Sequence, residues 1–254
     1  MHNNNGIDIK TLPILRLVKD FRIRFIHLYI CDLCGQKTEN NTVLCNDCGN
    51  DIARFNLPEL NYDLLNWPMF YHAIEPVTFD HLFAIAPYQW PYSRWIIQLK
   101  YTGNFEITQL LSKLMIDAWQ LNPAFEQIAP NNNIGVIAVP IHIKKWQKRG
   151  YNQSYLLAQK FCKKTKIPHL GEVLTRSKET IDQVGLTGIQ RRKNLKKAFT
   201  LQQNITLPDH IILIDDVLTT GSTANEISRL LKQQGVKIVT VFTLCLSVPS
   251  QKKS

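Results

Sequence analysis

The stretch that most constrains this chain is His210-Ile211-Ile212-Leu213-Ile214-Asp215-Asp216-Val217-Leu218-Thr219-Thr220-Gly221-Ser222-Thr223. Ile211 to Ile214 make a short, continuous, mostly β-branched apolar run, the pattern of a strand covered on both faces of a parallel sheet. A helix is predicted to follow. Thr223 and Glu226 stand at capping-box spacing, Ile227, Leu230 and Leu231 supply an apolar stripe, and Gly235 offers a stop.

The loop between strand and helix therefore ends at a helix N-terminus, where unpaired N–H groups and the positive end of the dipole attract an anion. Hydroxyls of Thr219, Thr220, Ser222 and Thr223 can bond phosphate oxygens, and Gly221 lets backbone approach closely. The carboxylates of Asp215 and Asp216 can accept from the two hydroxyls of a ribose. Asp215, Asp216, Val217, Leu218, Thr219, Thr220, Gly221, Ser222 and Thr223 thus read as a ribose 5-phosphate site, with Asp215 and Asp216 as the candidates for any catalytic role. The stretch lacks the Lys of a P-loop and the spaced glycines of a dinucleotide fingerprint. It resembles the phosphoribosyl-pyrophosphate (PRPP) motif of type I phosphoribosyltransferases.

A length of 254 residues suits one domain of about 150–200 residues plus a smaller module. An apolar fraction of 44% is ordinary for a globular protein, but a formal charge of +10 is unusual for a small-metabolite enzyme and makes a polyanion the first partner to consider, nucleic acid ahead of membrane surface. No apolar run reaches the ~18 residues of a membrane span, and the polar, Asn-rich start is no signal peptide, so a cytoplasmic protein without a transmembrane segment is expected.

Cys31-Asp-Leu-Cys34-Gly35 and Cys45-Asn-Asp-Cys48-Gly49 are two C-x-x-C knuckles, and together they offer four thiolates to a closed, structural Zn²⁺. Cys162 and Cys245 lie in apolar periodic segments and are expected to be inert core thiols. In order, the chain divides into a basic amphipathic segment (1–28), the four-cysteine zinc module (29–52), a connector rich in Pro and aromatics (53–81), an α/β domain (82–248) and a basic tail (249–254). Within the α/β domain, strands are predicted at Leu82–Tyr88, Ile134–Val139 and Val236–Leu244, besides the one before Asp215. Helices are predicted at Pro91–Lys100 and Ile107–Trp119, and a further one is capped by Asn152 and carries Leu156, Leu157, Ala158, Phe161 and Cys162.

Lys144, Lys145, Lys148 and Arg149 place four cations in six positions just after the Ile134–Val139 strand, with Trp146 and Tyr151 alongside. Ligands of open α/β sheets bind at that edge. Residues 171–199 add Arg176, Arg191 and Arg192 in a run dense in charge, read as a mobile basic loop leading into a short helix. Lys144, Lys145, Lys148, Arg149, Arg176, Arg191 and Arg192 are accordingly the candidates for holding pyrophosphate or a nucleic-acid backbone.

Taken together, the chain resembles the ComF-type (ComFC) competence protein family. The resemblance rests on the four-cysteine ribbon, Leu99-Lys100-Tyr101-Thr102-Gly103, Val139-Pro140-Ile141-His142 leading to Arg149-Gly150-Tyr151-Asn152-Gln153, Leu174-Thr175-Arg176, Gln183, Arg191-Arg192-Lys193-Asn194 with Ala198-Phe199, and the central acidic motif. It implies a type I phosphoribosyltransferase-like parallel sheet flanked by helices, preceded by a small zinc ribbon with four cysteine ligands. It also implies a cytosolic factor in natural transformation that engages incoming single-stranded or branched DNA beside other competence or recombination proteins. PRPP or a nucleotide would sit on Asp215, Asp216 and the loop Thr219 to Thr223, with Mg²⁺ bridging pyrophosphate. The chain has no clear acid at the second loop and no base-recognition hood, the zinc ribbon standing in its place. The alternative reading is an active Mg²⁺-dependent phosphoribosyltransferase with an unknown acceptor. A third is a sensor that binds PRPP or a nucleotide without turnover.

Overall fold

The computed structural model describes residues 30–39, 42–60, 62–74, 77–123, 133–176 and 198–247. The chain forms two compact units that meet in sequence between Ile52 and Ala53. In the first, Ile30 bridges Lys37 in antiparallel fashion around the first knuckle, and helix α1 (Asn46–Asp51) carries the second.

The second unit is an α/β fold. After 3-10 turns at Leu57–Leu60 and Leu64–Asn66 come α2 (Pro68–Ile74), β1 (His81–Pro87), α3 (Tyr92–Tyr101) and α4 (Phe105–Gln120). β2 (Ile134–Ala138), α5 (Ile143–Arg149) and α6 (Gln153–Thr165) follow, then a ribbon of β3 (Leu174–Arg176) and β4 (Phe199–Leu201), then β5 (His210–Leu218), α7 (Ser222–Gln233) and β6 (Ile238–Leu246). The main sheet is wholly parallel in the order β1-β6-β5-β2, while β3 and β4 pair antiparallel apart from it.

Burial explains the central position of β5 and β6. Ile211, Ile212, Leu213 and Ile214 are all fully buried, as are Val239, Leu244 and Cys245. Each such aliphatic side chain contributes roughly 1.5–3 kcal/mol when removed from water, which a strand with one wet face could not collect. Side chains alternate along a strand, so Ile211 and Leu213 join the cluster of Ile227 and Leu231 from α7 with Val239 and Val241. On the other face Trp119, Phe161 and Phe242 meet edge-on or tilted, with centroids 5.1–6.3 Å apart, between α4, α6 and β6. The outer edges are covered: Pro168 and Leu170 bond Val136 on β2, and the Phe55 N–H bonds the Ile85 carbonyl on β1.

Several expectations shift. Strand and helix limits move by one or two residues, as frayed ends do. Gly235, at φ 91°, ends α7 in a Schellman arrangement, with Val236 N–H on the Leu231 carbonyl and Gly235 N–H on that of Lys232. The segment read as a connector contributes Leu64, Phe70, Ile74 and Phe79 to the core, and Phe55, Trp67 and Phe70 pack as an edge-to-face trio at 4.6–6.3 Å.

The capping box does not form. Gly221 occupies the N-cap of α7 at φ 68° with no side-chain bond, and Glu226 turns instead to Arg229, 2.8 Å away. With the helix starting at Ser222, Thr223 lies inside the first turn, and a box would need its Ser or Thr one step outside. Arg176 and Phe199, expected in a loop, lie on the β3–β4 ribbon, and residues 177–197 between them, with Arg191 and Arg192, are outside the described residues. The N-terminal segment and the basic tail are also outside them.

Candidate functional site

Both sequence-predicted loops come together. A cavity of about 960 Å³ opens beyond the C-terminal ends of the parallel strands. It is lined by Asp215 to Ala224, running from the end of β5 into the first turn of α7, and by Lys145, Lys148 and Arg149 of α5 with Arg176 of β3. Lys144 is exposed but does not line it. The cationic stretch is a short helix rather than a loop: buried His142 caps it, its ring accepting the Lys144 N–H at 3.3 Å, and Gly150 at φ 84° closes it.

The loop that the sequence reads as a phosphate cradle takes its shape from the start of α7. Because no side chain caps α7, the amides of its first turn are open to a ligand, and Gly221 adopts the left-handed conformation that brings them round. A Cβ at Gly221 would also stand 3.3 Å from Ile74, so the position is restricted twice over. Thr220 and Ser222 hydroxyls meet at 2.9 Å, while Thr219 is exposed beside them.

The two aspartates, adjacent in sequence, point to opposite sides of the strand. Asp216 is 3% exposed; Lys100, from the last turn of α3, makes an ion pair with its Oδ2, and Gln153 Nε2 donates to its Oδ1 at 3.2 Å. Burial works against its charge, but the Lys100 ammonium and these hydrogen bonds outweigh it and hold the carboxyl below its usual range. Lys100 is likewise held above its ordinary value, since Asp216 more than offsets the cost of burial.

Asp215 is half-buried and lines the cavity. Its Oδ1 accepts from Ser154 Oγ at 2.8 Å and from the Asp216 N–H at 2.9 Å. Burial first, then the neighbouring Asp216 charge, push it up to about 7. Matching residues thus have opposite electrostatics.

Around this pair runs a supporting network. Arg149 donates to Gln153 Oε1 and lies 5.5 Å above the Tyr101 ring, and Tyr151 Oη donates to the Leu99 carbonyl, beside Lys100. Asn152 both caps α6, accepting the Ser154 N–H at 3.1 Å, and donates to the Val139 carbonyl at 3.0 Å. That double anchor sets Gln153 and Ser154 over the acids. Arg176 is positioned by the Phe199 ring, 5.4 Å away. Lys100, Gln153 and Ser154 are not among the sequence candidates. Lys100 and Gln153 stand in two of the stretches that carry the family resemblance, which is the one signal pointing to them, and the partnership of Lys100 depends on a contact 116 positions along the chain.

In the first unit, the sulfurs of Cys31, Cys34, Cys45 and Cys48 lie within 4.8 Å of one another and could hold a metal ion. Cys34 and Cys45 sulfurs are 3.7 Å apart, against about 3.8 Å for the edge of a tetrahedral thiolate site with ~2.3 Å bonds. Burial raises the Cys31 thiol, but hydrogen bonds from the Cys45, Cys34 and Leu33 backbone prevail and bring it to about 6. Hydrogen bonding to Cys45 and burial push Cys48 up. Four clustered sulfurs resist joint ionisation unless a cation accompanies them, which is the donor set of a metal site. Cys162 and Cys245 are buried; burial pushes the Cys162 thiol up to about 12 and the Cys245 thiol higher than usual, so neither is reactive. No helix among the described residues is long and apolar enough to cross a membrane.

Fold and site thus define an α/β protein with an anion-suited cavity at the C-terminal edge of a parallel sheet, preceded by a four-cysteine module. No protein-family model matches the chain. It is 32% identical over 225 residues to the DNA utilization protein YhgH of Escherichia coli strain K12, spanning 86% of this chain and 91% of that protein. To Competence protein F of Haemophilus influenzae it is 37% identical over 170 residues, 66% of this chain and 73% of the relative. To Competence protein ComFC of Streptococcus pneumoniae it is 23% identical over 237 residues, 84% and 98% respectively. The chain belongs to the ComF family of competence proteins.

Proposed function

We propose that this protein is a cytosolic factor of natural transformation that binds single-stranded or branched DNA, using a phosphoribosyltransferase-like domain whose ribose-phosphate or PRPP site is the cavity at Asp215 to Thr223. The observation that carries the reading is that one cavity is lined both by the uncapped N-terminus of α7 and by Lys145, Lys148 and Arg149 of α5 with Arg176 of β3. Oxygen-rich, multiply charged ligands fit both at once. Relatives named for DNA utilization and for competence support DNA as the polyanion, and the +10 charge supports it independently. Zn²⁺ is the ion proposed for the four cysteines, as a structural element that lets so small a unit fold. Other competence or recombination proteins are the proposed partners.

Titrating a labelled single-stranded or branched oligonucleotide at several salt concentrations tests this. Each cation that neutralises a phosphate of a single strand adds about 0.7 to the slope of log affinity against log salt. Replacing Arg149, Arg191 and Arg192 with Ala is expected to weaken binding and flatten the slope by about 2. An unchanged titration curve would sink the reading. Mg²⁺-PRPP added as competitor displaces the DNA if both use Asp215, Asp216 and the phosphate loop.

The second reading is an active Mg²⁺-dependent phosphoribosyltransferase. It is favoured by the same acidic pair placed directly before the phosphate-type loop at the sheet edge. Lys145 and Lys148 would then stabilise departing pyrophosphate, and Asp216→Asn would abolish turnover. Absence of pyrophosphate release across a panel of nucleobases would remove this reading and leave the first intact.

A further inference from the structure

We propose that the cavity seats the 3′-terminal nucleotide of a DNA single strand, an inference that rests on the DNA-binding reading above. Two adjacent aspartates suggest two acceptors and hence a cis-diol. In the folded protein only one remains for a ligand. Asp216 is 3% exposed, with Lys100 at one carboxylate oxygen and Gln153 at the other. Asp215 lines the cavity, and its donors among the described residues, Ser154 Oγ and the Asp216 N–H, both fall on Oδ1. Asp216 borders the cavity as well, but Lys100 and Gln153 engage both its oxygens, so Asp215 Oδ2 is the acceptor offered to a ligand, and it matches one sugar hydroxyl.

A 2′-deoxyribose whose 5′ oxygen carries a phosphate offers a hydroxyl only where it ends a strand, at its 3′ position. Anywhere else that oxygen belongs to a phosphodiester, whose negative charge would be brought against Asp215 and penalised in a partly desolvated site. The site therefore admits a strand end and rejects the interior. On the 5′ side of the same sugar, the phosphate is received by the open first turn of α7 with the hydroxyls of Thr220, Ser222 and Thr223. For a terminal nucleotide this phosphate is the last phosphodiester, and the strand continues from it.

Space and chemistry for the preceding nucleotides are present. A cavity of about 960 Å³ stands at the top of the ~300–1,000 Å³ range of small-molecule pockets, more than one sugar phosphate fills. Tyr101, 73% exposed, and Tyr88 stand on its wall as faces on which bases can stack, and Lys145 and Lys148 line it where a phosphate backbone would pass.

The test uses the full-length, zinc-loaded protein and one internally labelled single strand in three forms: with a 3′-hydroxyl, with a 3′-phosphate, and ligated into a circle. Fluorescence anisotropy is expected to show the 3′-hydroxyl form binding about tenfold more tightly than either other form, the scale of one hydrogen bond to a charged acceptor. Asp215→Ala is expected to bring the three forms to within about twofold of one another. Should that variant fail to fold, the comparison on the unmodified protein decides alone. Equal affinity for the three forms overturns end recognition while DNA binding stands. No binding of any form overturns both.

Discussion

Lys100 separates the behaviour of two aspartates that are neighbours in sequence. Removing its charge by Lys100→Met leaves Asp216 buried without a counter-ion, a change that costs roughly 3–5 kcal/mol in buried pairs; Lys100 keeps partial contact with water, which places the expected loss near about 3 kcal/mol. Urea unfolding at neutral pH measures it, and adding Asp216→Asn is expected to recover most of the loss, because the stranded charge is then gone. Asp215 makes a prediction of opposite sign. It titrates near 7 in the folded protein against an ordinary 3.8, so between those values the folded chain holds the extra proton. Its contribution to stability is therefore full below about 3.8 and lost as pH rises through 7. Asp215→Asn is expected to gain stability over the unmodified protein progressively across that window, and parallel unfolding curves at every pH would refute it. Asp216, held below its usual range, contributes in the reverse sense, above the ordinary carboxylate value and less on acidification through its folded one. Neither assignment is legible at residues 215 and 216 themselves, since the sequence shows two identical side chains and omits what surrounds each.

At the scale of elements, helix starts decide the site. α6 begins with Asn152, whose side chain serves the helix through the Ser154 N–H and the sheet through the Val139 carbonyl. Asn152→Ala is expected to lower stability by about 1 kcal/mol through the lost cap. Because the same residue sets Gln153 and Ser154 over the acids, affinity for a ribose phosphate is expected to fall by a larger factor than the stability loss alone implies. Thermal unfolding and ligand titration on one preparation separate the two effects. α7 shows the converse, since its missing side-chain cap is what leaves amides for a ligand. A capping box at Thr223 and Glu226 is a sound expectation from spacing, but the structure starts the helix at Ser222 and gives Glu226 an Arg229 partner. Asn152 as a cap and Gly235 as a stop are readable because each acts on its own few residues. The cap of α7 is not, because Gly221 is held against Ile74, far away in sequence.

At the scale of the whole molecule, charge is distributed unevenly. The described cysteine unit carries Asp32, Glu39, Asp47 and Asp51 against Lys37, and a divalent ion held by four thiolates would add two further negative charges. The proposed attraction for phosphate is therefore assigned to the rest of the chain, which holds the cationic residues lining the cavity. The cysteine unit has few buried apolar side chains, Leu44 and Ile52 among them, and should depend on its ion to fold. Chelation is expected to release one metal ion per chain and to collapse amide signals of residues 30–52 to random-coil positions, while those of the β-sheet persist. Retention of dispersed signals for residues 30–52 in the metal-free protein would contradict this.

What the sequence determined by itself was everything that depends on neighbours along the chain: the buried apolar strand before Asp215, the hydroxyl-rich turn, the paired cysteine knuckles, the cations after the second strand and the caps at Asn152 and Gly235. These follow from periodicity and local backbone chemistry, which need no tertiary information. The tertiary structure alone decided the strand order, the place of the supposed connector in the core, and the division of labour within the acidic pair. Each depends on residues brought together from remote positions, Lys100 and Gln153 onto Asp216 and Ser154 onto Asp215. Burial and Coulomb interaction act through space, so they fix the chemistry of a side chain only once the fold has chosen its neighbours.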